Sequence, residues 1–134
     1  MSAKASITCH VLDTTTGRPA KAIGVRLTGS TIPGQVFNFD ASTDQDGRIS
    51  TWPPCSSPTS SSDEASLQTL ENVLGQPVGE DASTWTLCFD TAGYFGKENT
   101  FFPEVVVSFR VKRGERYHVP LLLGPFSYTT YRGS

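Results

Sequence analysis

The strongest constraint in this sequence is a period of two. Short runs carry an apolar residue at every second position, and Gly, Pro, Asp and Ser separate one run from the next. Across residues 6–13, Ile7, Cys9 and Val11 share one face while Thr8, His10 and Leu12 share the other. Residues 24–29 repeat the pattern, with Val25 and Leu27 facing in and Arg26 facing out. Trp85, Leu87 and Phe89 alternate with Thr86, Cys88 and Asp90; Val105, Val107, Phe109 and Val111 alternate with Glu104, Val106, Ser108 and Arg110. Near the end, Tyr117, Val119, Leu121 and Leu123 oppose Arg116, His118, Pro120 and Leu122, and an aromatic, Thr-rich run over 126–131 follows. Side chains of a strand point alternately to its two faces, so each run has one apolar face to bury. The pattern predicts an all-β chain, an antiparallel sandwich or barrel.

Turn chemistry marks the boundaries. Residues 13–19, Asp13-Thr14-Thr15-Thr16-Gly17-Arg18-Pro19, close the first strand, and Asp44-Gln45-Asp46-Gly47 leads into a strand containing Arg48. Lys112-Arg113-Gly114-Glu115 and Gly124-Pro125 both read as hairpin connections. One region departs from the rhythm. Residues 53–66 hold three prolines and six serines, a composition that neither fills a core nor continues a ladder. An exposed, mobile insertion is predicted there, within a broader break at about 53–83. Leu67, Leu70 and Leu74 stand at helical spacing and predict a short surface helix over 67–74.

With 134 residues the chain is expected to be one domain, 1–134. A formal net charge of −2 argues against a nucleic-acid or anionic-membrane binder, which needs a clustered basic surface. The longest apolar runs, such as 121–123, are too short to span a bilayer. Met1-Ser2-Ala3-Lys4-Ala5 offers no signal-peptide core, so secretion by that route is not expected. The three cysteines, Cys9, Cys55 and Cys88, have no CxxC spacing and are expected to be reduced thiols.

Chemistry concentrates on few side chains. His10 and His118 are the only histidines, and each lies on a strand face opposite an apolar row. Taken singly, such a histidine is ordinarily structural; two on one wall of a cleft can accept and donate protons near neutrality. Arg48, just after an Asp-Gly turn, is a natural third member, because guanidinium clamps a carbonyl or anionic ring oxygen. Metal is not expected, since catalytic zinc normally takes three protein ligands and no third one is supplied. GxSxG and Gly-rich phosphate loops are absent from the sequence.

These residues also carry a resemblance. His10-Val11-Leu12-Asp13 with Gly17-Arg18-Pro19-Ala20 resembles the opening of the transthyretin-related family. Tyr117-His118-Val119-Pro120-Leu121-Leu122-Leu123 and the closing Tyr131-Arg132-Gly133-Ser134 resemble its 5-hydroxyisourate hydrolase branch, and Asp46-Gly47-Arg48 falls where that branch keeps a substrate-binding arginine. Phe89-Asp90-Thr91, Tyr94-Phe95 and Phe101-Phe102-Pro103-Glu104-Val105 match as well, leaving roughly 53–83 outside the resemblance.

The resemblance implies a sandwich of two four-stranded sheets with one short helix, over about 91–97. It implies a homotetramer, a dimer of dimers, with sites in the channel between dimers. The reaction implied is ring-opening hydrolysis of 5-hydroxyisourate to 2-oxo-4-hydroxy-4-carboxy-5-ureidoimidazoline in urate degradation, without metal or organic cofactor. Carried over by position, His10, Arg48, His118 and Ser134 are the expected catalytic residues. His10, Arg48, Tyr131, Arg132 and Gly133 are expected to bind substrate. In this scheme His118 and the Ser134 hydroxyl orient and deprotonate water, Arg48 holds substrate oxygens, and His10 contacts the ring. The sequence leaves open which histidine is the base. A transthyretin-like carrier of a small aromatic ligand is the alternative, and the polar set His10, Arg48, His118 and Tyr131–Ser134 argues against it. Cytosol is the expected compartment, with the peroxisome as alternative.

Overall fold

The computed structural model describes residues 4–31, 34–56, 67–75 and 82–134. In chain order these form β1 (Ile7–Asp13), β2 (Arg18–Pro19), β3 (Gly24–Gly29), β4 (Phe37–Ser42), β5 (Arg48–Ile49), β6 (Cys55–Ser56) and β7 (Leu67–Gln68). Then come α1 (Leu70–Leu74), β8 (Ala82–Phe89), α2 (Thr91–Phe95), β9 (Val105–Lys112), β10 (Tyr117–Leu123) and β11 (Tyr128–Thr130). No helix among the described residues is long and apolar enough to cross a membrane.

The alternating rows bury each other across two layers. One sheet runs β11-β10-β1-β2, with β5 also paired to β1; the other runs β4-β3-β8-β9. Strand β10 pairs with β1 along its full length, so β2 and β5 share the opposite edge of β1. The first layer is thus four strand positions wide, like the second. Between the layers lie Ile7, Cys9, Val11, Leu121 and Leu123 from one sheet and Leu27, Phe39, Trp85, Leu87 and Phe89 from the other, all fully buried. Each such large side chain contributes roughly 1.5–3 kcal/mol on leaving water.

Several predictions change in the folded chain. The pairing of β1 with β10 is parallel, from Ile7 opposite Tyr117 to Asp13 opposite Leu123, where an antiparallel sandwich was expected. Alternation tells which face a residue occupies but not which strand lies alongside. Lys112-Arg113-Gly114-Glu115 is not a hairpin, because β9 and β10 belong to different layers. Tyr117 braces this crossing: its hydroxyl accepts from the Lys112 amide at 2.8 Å and donates to Glu115 Oε1 at 2.8 Å. Gly124-Pro125 does close a hairpin, β10 to β11, with the Gly124 amide donating to the Ser127 carbonyl at 2.8 Å.

The Pro/Ser-rich stretch also differs at its flanks. Residues 57–66 lie outside the described residues, but Cys55 is buried, and Cys55 and Ser56 pair with Gln68 and Leu67. The expected 67–74 helix starts only at Leu70. Thr69 sets that start, its hydroxyl accepting from the Asn72 amide at 3.0 Å. Leu70 and Val73 are fully buried, so this short helix is part of the core rather than a surface ornament.

Helix α2 occupies Thr91–Phe95, capped by the Asp90 side chain accepting from the Gly93 amide at 3.0 Å. It is tied to the first strand by Asp13, a residue only 3% exposed. Its carboxylate accepts from the Thr15 amide at 2.8 Å, from the Thr15 hydroxyl, and from the Tyr94 hydroxyl at 2.7 Å.

Candidate functional site

The site grows from the outer face of the first sheet. On β1 the half-buried Thr8 and His10 face away from the core that Ile7, Cys9 and Val11 fill. Arg48 is delivered to this face by a tightly built turn. The Asp44 carboxylate accepts from the Asp46 amide at 2.8 Å and the Arg48 amide at 3.0 Å, and the Gly47 carbonyl accepts from the Val11 amide at 2.8 Å. Gly47 has φ +74°, and a Cβ there would sit 2.5 Å from the Val11 carbonyl oxygen, so only glycine lets the turn lie against β1. The outcome is direct registry: Arg48 stands opposite His10.

His118 arrives from β10. Parallel pairing places it beside Thr8, and Thr8 Oγ1 lies 2.8 Å from His118 Nδ1. The two imidazoles lie with centroids 6.4 Å apart and planes 26° from parallel. The C-terminal residues then return over the same face. Gly133 bridges to His118, its amide donating to the His118 carbonyl at 2.8 Å. A Cβ on Gly133 would meet His118 Cδ2 at 2.8 Å and Pro120 Cγ at 3.0 Å, so the glycine packs its bare backbone against the imidazole.

Together these elements enclose a hollow of about 550 Å³ lined by Thr8, Arg48, His118, Gly133 and Ser134. Lys4, Arg116 and Arg132 line it too, so a chain of net charge −2 concentrates four cations around one opening. A hollow of this sign favours ligands that carry or develop negative charge. The same field acts on the histidines. Burial and then the Arg48 charge hold His10 below its ordinary value, against an opposing hydrogen bond to the Asp46 main chain and the Asp44 and Asp46 charges. His118 is held low by burial, then by Arg48, His10 and Lys4. Both imidazoles are therefore mainly neutral at pH 7, able to accept a proton. Among the described residues, no three His, Cys, Asp or Glu side chains converge as metal ligands.

The structure thus brings Arg48, His118, Gly133 and Ser134 to one hollow, with His10 immediately beside them. Tyr131 lies elsewhere: it is 58% exposed and lines a neighbouring apolar hollow of about 280 Å³ with Val107, Phe109 and Val119. His118 and Arg132 border both hollows. The Arg132 guanidinium stacks 4.5 Å above the Tyr117 ring centroid and lies 3.8 Å from Glu115, so it is braced on the protein. Thr8, Lys4 and Arg116 were not picked out in the sequence. Thr8 stands two residues before His10 on the same strand face, the one signal that pointed to it.

Residues 7–133 match the HIUase/Transthyretin family. The chain is 33% identical to a probable 5-hydroxyisourate hydrolase of Schizosaccharomyces pombe, over 96% of this chain and 91% of the relative. It is 35% identical to the mouse (Mus musculus) 5-hydroxyisourate hydrolase, over 96% of this chain and 94% of the relative. In three dimensions it resembles Klebsiella pneumoniae 5-hydroxyisourate hydrolase with TM-score 0.61 and 23% identity, covering 96% and 92% of the two chains. Sea bream transthyretin in complex with thyroxine gives TM-score 0.66 at 22% identity, covering 96% and 95%. These two likenesses speak for the transthyretin-like fold, and the sequence matches carry the assignment further. The chain belongs to the HIUase/transthyretin family.

Proposed function

We propose that this chain is a 5-hydroxyisourate hydrolase, opening the 5-hydroxyisourate ring to 2-oxo-4-hydroxy-4-carboxy-5-ureidoimidazoline in urate degradation. The observation that carries this reading is the convergence of two imidazoles and a guanidinium on one face, in a chain whose curated relatives bear that name. Hydrolysis of a ring amide needs an oriented water, a base, a clamp for the developing oxyanion and a proton for the departing nitrogen. His118, with the Ser134 hydroxyl, takes a proton from water as the water oxygen adds to the carbonyl carbon. Arg48 holds the oxygen on which charge builds. As the C–N bond breaks, the proton returns to the ring nitrogen, with His10 contacting the ring and helping delivery.

Gly133 and Arg132 shape the rim of the hollow, and Tyr131 offers an exposed ring in the neighbouring apolar hollow that His118 and Arg132 also border. No metal or organic cofactor enters the scheme, and no covalent intermediate is required. The working form is a homotetramer, a dimer of dimers, with the outer sheet faces lining a channel between dimers. Exposed Val106, Phe126, Tyr128 and Tyr131 suit burial between copies. The chain acts as a single domain, and its free thiols Cys9, Cys55 and Cys88 suit the cytosol, with the peroxisome as alternative.

The test follows the absorbance decay of freshly made 5-hydroxyisourate. His10→Ala, Arg48→Ala and His118→Ala should each lose on the order of 100-fold in kcat/KM while melting like the parent protein. Near-parental turnover in all three would remove these residues from the reaction.

A further inference from the structure

The hydroxyl of Thr8 touches a catalytic imidazole, and a hydroxyl has one proton to place. On the parallel pair β1–β10, Thr8 and His118 are direct neighbours, with Oγ1 2.8 Å from Nδ1. Oγ1 also lies 3.5 Å from the Tyr117 carbonyl oxygen, in donor geometry toward it. A carbonyl only accepts, so directing the hydroxyl proton there leaves the Thr8 lone pairs facing Nδ1. In that arrangement Nδ1 carries the ring proton. The surroundings favour the same choice at the other nitrogen. Lys4, Arg48, Arg116 and Arg132, the charged side chains lining the hollow, are all donors. An unprotonated Nε2 suits these four donors, and the Ser134 hydroxyl, also on the wall, can donate to it.

We infer that Thr8 is a positioning residue that holds His118 as its Nδ1–H tautomer and so leaves Nε2 as the nitrogen that takes the proton from water. The inference rests on the hydrolase reading for its consequence, but the tautomer itself is a property of the free protein. Thr8 lines the hollow but takes no part in the bond changes of this scheme. It acts through His118, fixing which nitrogen is basic and, with Gly133 packed against Cδ2, the plane of the ring. When Nε2 is protonated, the Nδ1–H bond to Oγ1 becomes charge-assisted and stronger, which eases proton uptake.

Because the chain has two histidines, nitrogen NMR resolves both, and a His10→Gln variant assigns them. The groups acting on His118 from neighbouring elements are Lys4, Arg48 and His10, with Arg116, Arg132 and Ser134 on the wall. Spectra are therefore recorded well above the titration of both imidazoles. The expected spectrum of the parent protein has His118 protonated at Nδ1 and bare at Nε2, and Thr8→Val shifts the population toward Nε2–H. Thr8→Val is expected to lower kcat about tenfold, the scale of one hydrogen bond, with KM within roughly twofold. Thr8→Ser restores both the tautomer and the rate.

A parent His118 found as Nε2–H overturns the inference whatever the kinetics. So does a Thr8→Val protein with unchanged tautomer and unchanged kcat, or a Thr8→Ser protein as slow as Thr8→Val. A parent protein inactive on 5-hydroxyisourate would remove the hydrolase reading, while the spectra still decide the tautomer.

Discussion

Gly133→Ala isolates the steric part of the site from its chemistry. The added methyl would stand 2.8 Å from His118 Cδ2 and 3.0 and 3.2 Å from Pro120 Cγ and Cδ. Carbon pairs settle near 3.5–4.0 Å, so the nearest contact is roughly 0.7 Å too short. Pro120 cannot give way: it is buried on β10, and its carbonyl accepts from the Thr130 hydroxyl at 2.8 Å. The shift falls on the His118 ring or on the bond between the Gly133 amide and the His118 carbonyl. Either way the imidazole moves on the ångström scale, and a misplacement of about 1 Å at a reacting group costs on the order of 100-fold in rate. The backbone at Gly133 is not in the left-handed region, so the substitution strains no backbone dihedral and stability should barely change. The assay is steady-state decay of 5-hydroxyisourate beside a thermal melt. The expected result is a large fall in kcat with Tm within a few degrees of the parent. Parental kcat with a raised KM would instead mean that Gly133 only makes room for substrate, and the packing argument would be wrong.

Tyr94→Phe removes one of three donors to the nearly buried Asp13 carboxylate and should cost about 1.5–3 kcal/mol in a urea titration. Burial pushes the Asp13 carboxyl up, but hydrogen bonds from Thr15 and Tyr94 outweigh it and hold the value below 3.8. Its contribution to stability is thus complete above that ordinary value and lost as pH falls through the depressed one. Tyr94→Phe should move the acid-unfolding midpoint to higher pH; an unmoved midpoint would count against the assignment. The acid limb of kcat/KM should lie below the ordinary histidine value of 6.5, since both imidazoles are held low and activity is lost as they protonate. In ligand-free Arg48→Ala, NMR titration should find both histidines moved upward, because the Arg48 charge depresses each; unchanged values would contradict the electrostatic account.

Much of the sandwich was legible because burial in a strand is written at every second residue. The bounds of β3 and the inward rows of β1, β8 and β10 follow directly from that alternation. His10 and His118 were legible as half-buried polar residues opposite apolar rows. Partnership between strands was not. Thr8 and Tyr117 meet across 109 positions of sequence, and no local pattern states that two runs so far apart lie parallel. The turn at 112–115 has hairpin chemistry, yet the Tyr117 hydroxyl replaces a ladder and lets the chain change layers. Leucine spacing suggested α1 but not its burial, which depends on the sandwich it packs against. The basic hollow was hidden by a near-neutral total charge, because net charge does not record where cations gather.

The most direct measurement is a progress curve with 5-hydroxyisourate in large molar excess over the protein. The account predicts loss of the whole substrate pool at an initial rate proportional to protein concentration, abolished by His118→Ala. Decay at the spontaneous rate, with at most one equivalent sequestered per site, would instead describe a carrier and contradict the assignment of His10, Arg48 and His118 to catalysis.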